Sequence, residues 1–201
     1  IDPDGEKKVV LLTFDDGPKD EAMIDRLLET LENHQAKAVF FLNGYRVEAK
    51  PELARKLHER GQVLGNHAWD HIVLTNESEE TIDAQIMRVQ DILTELTGTA
   101  PRFFRPPHGA GNDYIRKRVK EEGMLYMTWS NGSRDWEQGY QTPESVVEQV
   151  MQQLHPGSNI LMHELPWTVE ALDTLLTRLE EEGYSFLDPM AIDIDYTEPD
   201  A

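Results

Sequence analysis

The sequence predicts an α/β fold on a mostly parallel sheet, either closed into a barrel or open and doubly wound. Two observations carry this expectation. Short apolar runs alternate with amphipathic helical segments almost from end to end. Chemically capable residues recur just after those runs, at Asp15 and Asp16, His67, Arg105, Asp135 and His163. That placement is expected when function gathers at the C-terminal ends of parallel strands.

Taken in order, Val9-Val10-Leu11-Leu12 opens a buried strand predicted over residues 9–14. Residues 21–33 carry Met23, Ile24, Leu27, Leu28 and Leu31 at helical spacing. Strands are predicted at 38–42 and 62–65. Residues 79–96 line Ile82, Ile86, Val89, Leu93 and Leu96 along a helix, with Ser78 as N-cap and Gly98 as stop. Two more strands are predicted at 103–105 and 125–129. Thr142-Pro143 is a cap and first-turn pair ahead of Val146, Val147 and Val150. A strand at 159–163, a helix over 171–179 stopped by Gly183, and a strand at 185–187 complete the pattern.

The 201 residues contain no Pro/Gly/Ser-rich linker and no repeat, which predicts one domain. With 28% charged and 39% hydrophobic residues, the chain reads as an ordinary soluble globular protein. No apolar run approaches the roughly 20 residues that span a bilayer, so no membrane insertion is expected. The opening Ile1-Asp2-Pro3-Asp4-Gly5 reads as the start of a trimmed segment or mature fragment, and says little about export. A formal net charge of −19 argues against nucleic acid as a partner. It fits a solvated acidic surface, or adaptation to alkaline or saline surroundings. The absence of cysteine excludes disulfides, thiolate metal sites and cysteine nucleophiles, so any transition-metal site must use His, Asp or Glu.

The chemistry starts at Thr13-Phe14-Asp15-Asp16-Gly17-Pro18. Adjacent carboxylates raise each other's pKa unless a cation or donors compensate. A metal ion resolves the conflict, with one Asp binding it and the other left as a base. His67-Ala68-Trp69-Asp70-His71 holds two imidazoles four residues apart, a spacing that places both on one face of a helical turn. With Asp16 they form a His-His-Asp set with open positions, as in catalytic rather than closed structural sites. In Phe103-Phe104-Arg105-Pro106-Pro107-His108-Gly109 the prolines stiffen a turn, and Arg105 can hold a carboxylate. Trp129 to Trp136 brackets a polar loop with two indoles and Asp135, suited to packing on a pyranose or walling a small pocket. The strand Asn159-Ile160-Leu161-Met162-His163-Glu164 ends in His-Glu beside these motifs. His34, His58 and His155 have no such context and read as surface residues.

These segments, in order, resemble the five motifs of the polysaccharide deacetylases, the NodB-homology domains or carbohydrate esterase family four. The resemblance covers about residues 8–189. It implies an irregular (β/α)7 TIM-like barrel and metal-dependent removal of N-acetyl or O-acetyl groups from polysaccharide. Carried over by position, Asp16, His67 and His71 bind one divalent ion, Zn2+ first, with Co2+, Ni2+ or Mn2+ as alternatives. Asp15 becomes the base and Arg105 its holder. His163 becomes the acid and Asp135 the partner that keeps it protonated. The His108 backbone N–H faces the oxyanion, while Pro106, Trp136 and Leu161 contact substrate. Three positions depart from the family pattern. Ala68 stands where Ser or Thr is usual, Gly132 where an acid is usual, and His108 where an aromatic is common.

The resemblance therefore implies an N-deacetylase of GlcNAc-containing glycan, peptidoglycan ahead of chitin oligomers. The rivals are an acetylxylan O-deacetylase, a non-catalytic glycan-binding domain and a hydrolase of small cyclic amides. An acetylated polysaccharide is the expected partner, the protein is expected to be a monomer, and its expected place is extracellular or at the cell wall. His108 and the 131–134 loop are the segments expected to select the polymer.

Overall fold

The computed structural model describes residues 7–195, so the opening Ile1-Asp2-Pro3-Asp4-Gly5 stretch lies outside it. The strands are β1 (Val9–Gly17), β2 (Ala38–Leu42), β3 (Val63–Asn66), β4 (Phe103–Phe104), β5 (Leu125–Tyr126), β6 (Asn131–Gly132), β7 (Ser158–His163) and β8 (Ser185–Phe186). The helices are α1 (Glu21–Asn33), α2 (Gly44–Ala49), α3 (Pro51–Glu59), α4 (Glu79–Thr97), α5 (Asp113–Glu121), α6 (Pro143–Gln152) and α7 (Pro166–Glu181). The sheet runs β5-β4-β3-β2-β1-β7-β6, with β8 added beside the start of β1. Its pairings are parallel, β1 against β2, β7 and β8 included. This is the parallel half-barrel of a (β/α)7 fold, which decides between the barrel and the open doubly wound sheet.

Strand alternation sorts the core into two sides. Val10, Leu12, Phe14, Ala38, Phe40 and Leu42 pack outward in one cluster with the apolar stripes of α1, α3, α6 and α7. Leu11, Val39, Phe41, Val63, Phe103 and Met127 pack together on the opposite side and fill the barrel interior. Thr13, Asp15 and Arg105 continue the inward-facing series of β1 and β4, so polar groups sit on an apolar floor. A third cluster, with Ile82, Ile86, Phe104, Ile115 and Val119, seats α4 and α5.

The predicted caps are present. Ser78 accepts from the Thr81 N–H, Thr142 accepts from the Ser145 N–H, and Gly98 ends α4 at φ 72°. The predicted strands at 103–105 and 125–129 shorten to two residues each, and the helix predicted over 171–179 begins earlier, at Pro166. Helices α2, α3 and α5, and strand β6, were not predicted. His34, expected at the surface, is half-buried there: its ring lies between the exposed carboxylates of Asp173 and Glu180 of α7, at 3.1 and 3.0 Å. Among the described residues, no helix is long and apolar enough to cross a membrane.

Candidate active site

The two carboxylates at the end of β1 reach one place because the strand is irregular there. In a regular strand neighbouring side chains point to opposite faces. Here Asp15 pairs with Phe41 and Gly17 with Leu42, which leaves Asp16 as the extra residue of a bulge at φ 67°. Asp15 also stands in register with His163 of β7. Of the six non-glycine residues at positive φ among the described residues, five (Asp16 at the end of β1, and Ala68, His71, His108 and Arg134 in loops) lie around this site. Such backbone costs about 1–3 kcal/mol per residue and persists where the surroundings impose it.

His67 and His71 do not share a helical turn. They follow β3 in an irregular loop with Ala68 at φ 60° and His71 at φ 53°. The spacing brings the rings together by a different route. Asn43 Nδ2 donates to the His67 carbonyl at 2.8 Å, and the Ala68 N–H donates to Asn66 Oδ1 at 3.0 Å. Gln85 of α4 exchanges hydrogen bonds with the backbone and carboxylate of Asp70. Within the loop, Trp69 has the Arg88 guanidinium 3.6 Å from its ring centroid and packs directly against Gly44. A Cβ on Gly44 would stand 2.1 Å from Trp69 Cε3. Gly44→Ala is therefore expected to cost about 1–3 kcal/mol by overpacking, read from urea unfolding.

His67 Nδ1 donates to the Arg105 carbonyl at 2.7 Å, which fixes the tautomer and leaves the Nε2 lone pair facing Asp16. His67 Nε2 and His71 Nε2 lie 3.3 and 3.0 Å from Asp16 Oδ1. That oxygen is buried without a hydrogen-bond partner of its own. Three ligand atoms within 4.8 Å of one another, from two imidazoles and a carboxylate, fit a divalent cation. Burial pushes the Asp16 carboxyl up; with no ion bound, the imidazoles of His67, His71 and His163 in their protonated form outweigh it and hold it well below the usual carboxylate range.

Arg105 is fully buried, which demands partners for its charge. Nη1 donates to Asp15 Oδ1 and to Thr13 Oγ1, both at 2.8 Å. Nη2 donates to the Thr128 carbonyl at 2.9 Å and to Asn159 Oδ1 at 3.1 Å. The Phe41 ring lies 4.3 Å from the guanidinium carbon. Asp15 is thus held by one rigid cation, and its other oxygen lies 3.6 Å from His67 Nε2.

On the opposite wall, His163 Nδ1 meets Asp135 Oδ1 at 2.7 Å, and the His163 N–H donates to Asp135 Oδ2 at 2.8 Å. Thr168 Oγ1 donates to the same Oδ2 at 2.6 Å, and Trp167 Nε1 to the Asp135 carbonyl at 2.8 Å. Burial pulls the His163 pKa down, but Asp135, with help from Asp15 and Asp16, leaves it raised. His163 Nε2 faces the site, 3.9 Å from Asp16 Oδ2.

These groups line a cleft of about 410 Å3 together with Pro106, His108, Gly109, Trp129, Trp136 and Leu161. Trp136 packs edge-on to His163, and both indoles stay partly exposed as cleft walls rather than core. His108, at φ 58°, reaches back to the His71 carbonyl at 3.3 Å. Most of the 131–134 loop is not available to select a polymer. Asn131 and Ser133 are fully buried, with Gly132 buried between them, and Asn131 Nδ2 donates to the Val150 carbonyl. Every predicted site residue other than Arg105 and Asp135 lines the cleft, and those two hold Asp15 and His163 from behind. The supporting set of Thr13, Asn43, Asn66, Gln85, Asn159 and Thr168 escaped prediction. Each acts through one or two side-chain polar atoms that no local pattern marks.

Comparison with known proteins gives consistent relatives. The family described as Polysaccharide deacetylase matches residues 2–127. Peptidoglycan-N-acetylglucosamine deacetylase PgdA of Listeria monocytogenes is 38% identical over 182 residues, covering 90% of this chain and 38% of that protein. The chain thus spans well under half of that relative's length. A peptidoglycan-N-acetylglucosamine deacetylase of Bacillus cereus is 33% identical over 187 residues, covering 90% of this chain and 86% of that one. A solved structure from Bacillus anthracis, described as a CE4 family pseudoenzyme, superposes with a TM-score of 0.86 at 32% identity, covering 90% of this chain and 64% of that one.

Proposed function

The chain belongs to the polysaccharide deacetylase family, and from that premise we propose that it removes N-acetyl groups from GlcNAc-containing polysaccharide, peptidoglycan ahead of chitin oligomers. The observation that carries this reading is the convergence of Asp15, Asp16, His67, His71 and His163 on one cleft. Asp16, His67 and His71 would hold the ion, with Zn2+ preferred by a His-His-Asp set and Co2+, Ni2+ or Mn2+ as alternatives. When bound, the ion polarises the acetyl carbonyl and makes water acidic enough to attack near neutral pH.

The remaining work falls to the chain. Asp15, oriented by Arg105, takes the proton from the attacking water. His163, kept protonated by Asp135, gives a proton to the leaving nitrogen, without which an amide does not break. The His108 backbone N–H helps carry the charge that develops on the carbonyl oxygen. Trp136 and Leu161 wall the acetyl methyl, and Pro106 fixes the neighbouring turn. Such a substrate places the protein outside the membrane or at the cell wall.

A second reading, a glycan-binding domain without turnover, has an observation in its favour: a similar structure is described as a pseudoenzyme, so the fold can persist without activity. The complete acid, base and ligand set here favours turnover. The test is acetate release by the Zn2+-loaded protein from peptidoglycan, chitooligosaccharides and acetylxylan. Release fastest from peptidoglycan is expected. Release from acetylxylan alone would make the protein an esterase, and binding without release from any of the three would make it a binding domain.

A further inference from the structure

Glu164 follows His163 at the end of β7, and no step of the proposed reaction uses it. It is 1% exposed. Its Oε1 accepts two backbone N–H groups, from Lys19 and Asp20, each at 2.8 Å. Its Oε2 is buried without a hydrogen-bond partner. A Cβ on Gly17 would stand 2.7 Å from that oxygen, so the carboxyl lies directly against the backbone that leaves the Asp16 bulge. Burying a carboxyl is costly, and a neutral residue of similar shape would fill the space at lower cost. Burial pushes the Glu164 pKa up, opposed by the two N–H groups and by the charges of Lys19 and Arg46.

The placement gives the cost a use. Asp16 sits at φ 67° with β1–β2 pairs on either side, Asp15 with Phe41 and Gly17 with Leu42, and the Asn43 N–H donates to the Gly17 carbonyl at 3.1 Å. Downstream, the chain must turn through residues 17–20 to enter α1 at its N-cap, Asp20. Glu164 holds that turn by its N–H groups, and Lys50 Nζ donates to the Lys19 carbonyl at 2.6 Å. We propose that Glu164 is a positioning residue: its Oε1 clasps the N–H groups of Lys19 and Asp20, fixes the bulge so that Asp16 faces His67 and His71, and ties that carboxylate to the strand end carrying His163. The inference rests on the proposed metal-dependent deacetylase reading. It assigns the role to the reach of the acceptor oxygen and not to the charge.

Two variants separate reach from charge. Glu164→Gln keeps an acceptor oxygen at the same length and loses the charge, whereas Glu164→Asp keeps the charge and withdraws the oxygen by one methylene. The measurements are the Zn2+ Kd by chelator competition, and kcat and KM for acetate release, each normalised to folded protein. Glu164→Asp is expected to weaken Zn2+ by about tenfold or more, the scale for residues that orient metal ligands, and to lower kcat with KM nearly unchanged. Glu164→Gln is expected to stay close to the parent in Kd and kcat. The proposal is overturned if Glu164→Asp loses only thermal stability with Kd and kcat intact, or if Glu164→Gln is as impaired as Glu164→Asp. A parent protein that binds Zn2+ but releases no acetate would sink the functional reading alone, and the Kd contrast would still decide the clasp.

Discussion

Asp15→Asn should lower acetate release by about a thousandfold, the mid-range effect of removing a general base. The substitution is close to isosteric. Asn keeps an oxygen for the Arg105 Nη1 contact, which is 2.8 Å in the parent, so the side chain stays in place. What it loses is the ability to accept a proton. It also leaves the fully buried Arg105 with no anion beside it, and breaking a buried pair costs stability. A lower Tm is therefore expected alongside the lost turnover, and kcat must be measured where the variant is fully folded. KM should change little, because Asp15 acts on the water and not on the sugar. If kcat fell less than about tenfold in folded protein, the base would lie elsewhere.

His163→Ala should separate amides from esters. An amide nitrogen needs a proton to leave, so loss of the acid should cost about a thousandfold on N-acetylated glycan. An aryl acetate has a leaving group that departs as an anion, so its hydrolysis should fall by less than about tenfold. Equal losses on both substrates would contradict the acid role. The pH dependence gives a second check. His163 works in its protonated form, so activity is lost as pH rises through its pKa, which Asp135 holds up against burial. Asp135→Asn removes the main group raising that pKa, and the alkaline limb of kcat should then move to lower pH. A shift to higher pH, or none, would remove Asp135 from the role given to it.

Strand ends and chemistry were legible together in this sequence, because parallel α/β folds place both at one edge. Asp15, Arg105 and His163 each closed an apolar run, His67 followed one after Asn66, and each meets the cleft or a residue lining it. The helical turn assigned to His67 and His71 was an error with a physical origin. Four-residue spacing fits a helix, but the loop meets it through left-handed Ala68 and His71, held by Asn43, Asn66 and Gln85. Those contacts join distant parts of the chain, and a single asparagine or glutamine carries no periodic signal. Helix α5 was missed because only Ile115 and Val119 are buried among its charges. Strand β6 was missed because it is an Asn-Gly pair of low strand propensity. The bulge at Asp16 was equally hidden, although it is what lets adjacent aspartates face one cleft.

The central claim is that these two carboxylates have different jobs, Asp16 on the ion and Asp15 on the water. Zn2+ affinity of Asp15→Asn and Asp16→Asn, measured by chelator competition on folded protein, tests it most directly. Asp15→Asn should bind Zn2+ within about threefold of the parent. Asp16→Asn, which loses a ligand rather than a supporting contact, should weaken it by more than the roughly 10–100-fold typical of supporting residues. Equal loss in both variants, or loss in Asp15→Asn alone, would contradict the account.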